Sequence, residues 1–206
     1  MSARENILNR LKAAASAAPL ATPDFSADIY ATPIADKFET FKANLEPLGG
    51  RVFLTATSET AAQLVGQLSR NESWGTTVCL DPKLRQLLSA HVALSNDLDD
   101  PHVGITPCEF LVAHTGSVMI SSAGASGRRL HVFPEIHVVI AAKEQTVAYL
   151  DDAIKNMRQK YGDNLPSLIS NITGPSRTAD IEKTLVKGMH GPRSIIVIVY
   201  EHDGSL

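Results

Sequence analysis

Cysteine is scarce in this chain of 206 residues, which has only Cys79 and Cys108. They stand far apart and in no C-x-x-C pair, so the sequence is not that of a disulfide scaffold and fits a reducing, cytoplasmic setting. An iron–sulfur cluster generally takes four ligands, mostly thiolates, so the chain is expected to carry none of its own. Long apolar runs are missing too. The longest, Ile195 to Tyr200, falls far short of the roughly 20 residues a helix needs to cross a bilayer. Met1 leads into an amphipathic pattern rather than an apolar segment, so neither a signal peptide nor membrane insertion is expected.

Neither sign of charge dominates. Nineteen Lys and Arg stand against 22 Asp and Glu, for a net charge of −3. That balance argues against a nucleic-acid partner, which needs a basic face, but leaves room for a local basic pocket that takes a small anion. The G-x-x-x-x-G-K-[ST] phosphate loop is absent, as are a G-x-G-x-x-G after a strand, a G-x-S-x-G elbow and H-E-x-x-H. The 7 His are scattered. His131 and His137, flanking Pro134-Glu135, come nearest to a metal pair, and no metal site is expected.

What is present describes one α/β domain with an appendage. The hydrophobic fraction of 44% and charged fraction of 20% are ordinary for a globular chain. Ser2 and Glu5 read as a capping box, with Ile7, Leu8, Leu11 and Ala15 on one helical face. Pro19, Pro23 and Pro33 then make residues 18–33 an arm that crosses the surface, reaches a partner copy in a homo-oligomer, or is a mobile linker. Residues 1–33 are thus the appendage and 34–206 the domain. Helices are predicted over 34–48, from 58, over 82–89, over 146–161 and over 178–187. Strands are predicted over 51–56, 76–80, 91–94 and 194–200. Alternation of short apolar strands with helices favours a mostly parallel sheet covered on both faces. Residues 110–113, 117–121 and 136–142 leave no room for helices between them and predict hairpin-like or mixed strands. Residues 168–172 are ambiguous.

Four stretches could carry chemistry. In Gly174-Pro175-Ser176-Arg177-Thr178, Gly174 permits an unusual backbone angle. Ser176 and Thr178 offer hydroxyls and a helix cap, and Arg177 can grip an oxyanion at a helix start. The plainer alternative is a capped helix with a surface Arg. In the second stretch Glu109 is a candidate acid or base and His114 a candidate proton shuttle, followed by Gly116; alternatively, Glu109 caps a helix and His114 is satisfied on a strand edge. The Gly/Ser loop Ser121 to Arg129, with Arg128, either closes over an anionic ligand or is a plain hairpin. His190, in Gly188-Met189-His190-Gly191-Pro192-Arg193, either faces a ligand or fixes a turn.

Taken in order, Gly104-Ile-Thr-Pro-Cys-Glu, His114-Thr-Gly-Ser-Val-Met-Ile-Ser-Ser, Phe133-Pro-Glu-Ile-His-Val-Val, Gly174-Pro-Ser-Arg-Thr-Ala-Asp-Ile-Glu and Gly188-Met-His-Gly-Pro-Arg resemble the LUD domain family, in its lactate-utilisation C type. The resemblance implies a three-layer α/β/α sandwich like the NagB/RpiA/CoA-transferase group, with a mostly parallel or mixed central sheet. It also implies an accessory role in oxidising L-lactate to pyruvate, beside partner proteins that carry the iron–sulfur clusters. His114 stands where the family usually has Glu. Pro107 and Glu109 replace a small residue and Asp. Two other functions stay open: a stand-alone isomerase- or transferase-like enzyme on a phosphorylated or CoA-linked small acid, and a scaffold without a ligand.

Overall fold

The computed structural model describes residues 3–15, 33–179, 185–187 and 191–202. The capping residue Ser2, the arm of residues 18–32 and His190 lie outside them. The chain divides into two compact units, Met1–Pro33 and Ile34–Leu206. The first contains helix α1 (Ala3–Ala15).

The second unit is built on a five-stranded sheet in the order β1 (Arg51–Thr57), β11 (Ser194–His202), β6 (Ile136–Ala142), β3 (Val103–Pro107), β2 (Thr77–Cys79). Every pairing in it is parallel. Both faces are covered, which is why its strands read as unbroken apolar runs rather than alternating ones. Ile196 and Ile198 of β11 and Val138 and Ile140 of β6 face one way, towards helices α3 (Ser58–Asn71) and α4 (Pro82–Leu88). Ile195, Val197 and Val199 of β11 and Val139 and Ala141 of β6 face the other way, towards α2 (Lys37–Leu45) and a second sheet.

That second sheet has the order β7 (Thr146–Val147), β4 (Phe110–Val112), β5 (Ser117–Ser121), β8 (Ile169–Ile172) and is mixed. Leu111, Val118 and Ile120 pack on the main core. Val112 and Met119 point away and are covered by Ala153 and Met157 of α5 (Leu150–Tyr161). The architecture is therefore an α/β sandwich, with α3 and α4 on one face of the central sheet, α2 on the other, and the second sheet with α5 beyond.

Local chemistry explains most boundaries. Thr57 caps α3 by accepting from the Thr60 N–H at 3.2 Å. Asp81 caps α4 through the Leu84 N–H at 3.0 Å, with Pro82 in the first turn. Four expectations need correction. Residues 91–94 form no strand; the His91 and Val92 N–H groups both donate to the Leu88 carbonyl and extend the end of α4. The 146–161 helix starts only at Leu150, because β-branched Thr146 and Val147 pair with Leu111 and Val112. Strand β6 belongs to the parallel sheet and not with β4 and β5. Residues 178–187 are no single helix: β9 (Arg177–Ala179) and β10 (Leu185–Lys187) pair antiparallel, so the helix-start argument for an anion at Ser176–Thr178 lapses.

Candidate functional site

Glu109 follows β3 and sits on the floor of a cavity of about 280 Å³. Its backbone N–H donates to the Met119 carbonyl at 2.8 Å, which locks the turn from β3 into β4. Its carboxylate takes three donors. The Ser121 hydroxyl (2.5 Å) and the Tyr161 hydroxyl (2.7 Å) both meet Oε1, and Lys160 Nζ meets Oε2 at 2.8 Å. Only 9% of the Glu109 side chain is exposed, against 57% for Lys160. Burial alone pushes the Glu109 carboxyl up. The hydrogen bonds from Lys160, Ser121 and Tyr161 outweigh it and hold the group below the ordinary carboxylate range, while the bond to Glu109 raises the Lys160 ammonium. Glu109 is therefore an anchored anion at neutral pH, suited to accepting a hydrogen bond or orienting a ligand.

The cavity occupies a distinctive place in the topology. Asp81, just beyond the end of β2, and Pro107, at the end of β3, both line it. From β2 the chain leaves into α4 on one face of the sheet; from β3 it leaves into β4 on the other. Adjacent strands whose exits go to opposite faces open a crevice at their carboxyl ends, where open α/β sheets bind ligands. The Gly/Ser loop supplies another wall through Ala123, Gly124 and Ser126. Arg128, on the same loop, donates to the Ser167 hydroxyl at 2.6 Å, and Ser167 in turn lies 3.3 Å from the Ser122 hydroxyl. Cys108 has its thiol pushed up by burial and by Glu109, and Cys79 is pushed up to about 12, chiefly by burial, so both stay protonated.

The other sequence candidates fall elsewhere. His114 sits in a turn with its ring against the Tyr149 ring, centroids 5.3 Å apart, and its backbone N–H donates to the Ala148 carbonyl. Gly116 adopts φ +63° and an added Cβ would lie 2.6 Å from the Leu45 nitrogen, so its place is a packing contact with α2. Gly174 (φ +89°) and Ser176 line a second cavity of about 310 Å³ with His131 and Gly191. The two cavities share no lining residue. Arg177 and Thr178 are placed by backbone in β9, and their side chains lie outside the described part. His131 and His137 come within 6.4 Å, centroid to centroid, and among the described residues no group of three potential ligands surrounds a metal position. Sequence reading missed Lys160, Tyr161 and Asp81 as site residues. A Lys in a last helical turn and an Asp before a Pro are ordinary helix-end signals, so neither attracts notice.

Residues 85–200 match the model of the LUD domain. The chain belongs to the LUD domain family. Among curated members it is 39% identical over 100 residues to Lactate utilization protein C of Shouchella clausii, covering 48% of this chain and 44% of that protein. It is 38% identical over 100 residues to Lactate utilization protein C 1 of Bacillus mycoides (47% and 43% covered) and 38% identical over 96 residues to Lactate utilization protein C of Bacillus subtilis (46% and 40%). Each match spans less than half of the relative's length. A crystal structure of a DUF162 family protein from Deinococcus radiodurans shares the fold, with a TM-score of 0.57 at 18% identity, over 82% of this chain and 99% of that one. The LUD match takes in every residue named above on the Glu109 cavity except Asp81. No helix among the described residues is long and apolar enough to cross a membrane.

Proposed function

We propose that this LUD protein is an accessory component of a cytoplasmic system that oxidises L-lactate to pyruvate, and that it holds a small anionic ligand in the cavity above Glu109. The observation that carries the pathway is the similarity, at 36% to 39% identity, to proteins named for lactate utilisation. Oxidising a hydroxyl to a ketone removes two electrons and two protons, so the pathway needs a redox carrier. We assign the iron–sulfur clusters to partner proteins, because two cysteines are too few for the usual four-ligand set. The ligand half of the reading rests on the cavity's position at the carboxyl ends of β2 and β3.

Deleting the gene tests the pathway. Growth on L-lactate as sole carbon source should be lost and should return with the wild-type gene. Undiminished growth, in a strain with no second copy, would overturn the assignment.

A further inference from the structure

The Glu109 cavity has two unlike walls. One supplies acceptors: the Glu109 carboxylate, and Asp81, of which Oδ1 is used to cap α4. The other is the turn after β5, closed by the Gly127 N–H donating to the Gly124 carbonyl at 3.1 Å. Gly124 and Ser126 of this turn line the cavity. The N–H groups of Gly124, Ala125 and Ser126 meet no acceptor among the described residues. Nor does the Ser126 hydroxyl, although its residue is only 4% exposed. Native structures leave few buried polar groups unpaired, because an orphaned donor forfeits its bond to water without replacement. Gly124 and Ala125 are exposed, so water can serve their N–H groups, whereas the Ser126 hydroxyl is a buried orphan; together the three residues hold donors and no protein acceptor among the described residues. What they lack is an oxygen with lone pairs to spare, and consecutive backbone N–H groups favour a negative one. Lys160 adds a positive charge on the same cavity.

We propose that the Gly124–Ser126 turn seats an oxyanion, the carboxylate or phosphate of a small ligand whose other end donates a hydroxyl to Glu109 or Asp81. This rests on the reading of the Glu109 cavity as the ligand site. It moves the anion contact from residues 176–178, where the sequence suggested it, to residues 124–126. At about 30 Å³ per water, a cavity of about 280 Å³ holds roughly nine waters' worth of ligand, which is more than a bare oxyanion. A hydroxy acid, or a phosphorylated small acid, matches both walls: oxyanion to the donors, hydroxyl to the carboxylates.

Calorimetric titration of the full chain with potassium phosphate, sodium L-lactate and sodium pyruvate, at fixed ionic strength, tests the seat. Binding of phosphate but not of the acids identifies a phosphoryl ligand. Binding of L-lactate in preference to pyruvate identifies a carboxylate whose hydroxyl is read by the acidic wall. A Cβ on Gly124 meets nothing within 4 Å, so substitutions there should leave the fold intact, which thermal melts of the variants check. Gly124→Asp puts a negative charge on the turn and should abolish binding. Ser126→Ala should weaken it about tenfold. Wild-type chain that binds none of the three probes, or Gly124→Asp that binds as the wild type does, overturns the proposal. Failure of the pathway reading shows separately. A gene dispensable for growth on L-lactate, whose product binds an oxyanion through Gly124, loses the pathway and keeps the seat; a required gene whose Gly124→Asp product binds normally loses only the seat.

Discussion

Burial leaves His137 little choice of charge. Its Nε2 lies 2.9 Å from the Thr106 hydroxyl, its Nδ1 has no partner, and burial with the neighbouring His131 lowers its pKa to about 3. The folded chain thus refuses a proton that the unfolded chain accepts once the pH falls below the ordinary value of 6.5. Unfolding free energy should be level on this account above that pH. Below it the loss should reach up to about 1.4 kcal/mol per pH unit, continuing towards pH 3. His131, also lowered by burial, acts in the same direction. Glu109, held below its ordinary range, stabilises the fold above the usual carboxylate pKa, and that contribution disappears as the pH falls through its lowered value. Urea unfolding at about pH 7 and about pH 5 should show the drop, and His137→Gln should flatten it; an equally steep slope in the variant would exonerate His137. At this scale the sequence was only partly legible. Glu109 stood out by residue type, as a candidate acid or base in the stretch that also carries His114. Its partners Ser121, Lys160 and Tyr161 are brought to it by folding, and no spacing along the chain announces such a meeting.

Among the elements, the turns separate structural glycines from one that has room to change. Gly116 combines a left-handed backbone with a Cβ position 2.6 Å from the Leu45 nitrogen. Gly116→Ala should therefore cost about 2 kcal/mol or more, from the left-handed penalty plus displacement of α2. Gly104 has no room either: a Cβ there would lie 2.4 Å from the Leu130 carbonyl oxygen, where the chain crosses the sheet. Thermal melts of Gly104→Ala, Gly116→Ala and Gly124→Ala should rank with the last nearest to the wild type; a Gly116→Ala protein as stable as the wild type would contradict the packing role assigned to it. Element type was readable where one signal acted alone. Phe38, Phe41 and Leu45 gave α2 by period, and Ser194 to Tyr200 gave β11 by its unbroken apolar run. Strand β3 was missed because Val103-Gly104-Ile105-Thr106-Pro107 carries a glycine and a proline, which read as a loop. In the structure that glycine admits the Leu130 backbone and that proline ends the strand at the cavity. Residues 178–187 read as one helix, yet within the described residues Arg177–Ala179 and Leu185–Lys187 pair antiparallel.

At the scale of the whole molecule, the division at residue 33 carries its own test. Residues 34–206 hold the three hydrophobic clusters described above. A chain lacking residues 1–33 should still unfold in one cooperative step; loss of cooperativity would show that the first unit completes the core. Family membership, read from motifs and met again in the LUD match, was the most legible feature of all, since short strings of Gly, Pro and charged residues persist where helical periodicity blurs. The order of the central sheet adds a consequence for biosynthesis. β11 comes after every other strand described, yet lies between β1 and β6. While a ribosome is still making residues 51–193, β1 has no neighbour to pair with and β6 has one bare edge. The nascent chain must wait with apolar strand edges uncovered until residues 194–202 emerge and close the gap, the interval in which such edges recruit other chains. Synthesis rate and chaperone supply, more than the stability of the finished fold, should then set how much of this protein a cell recovers.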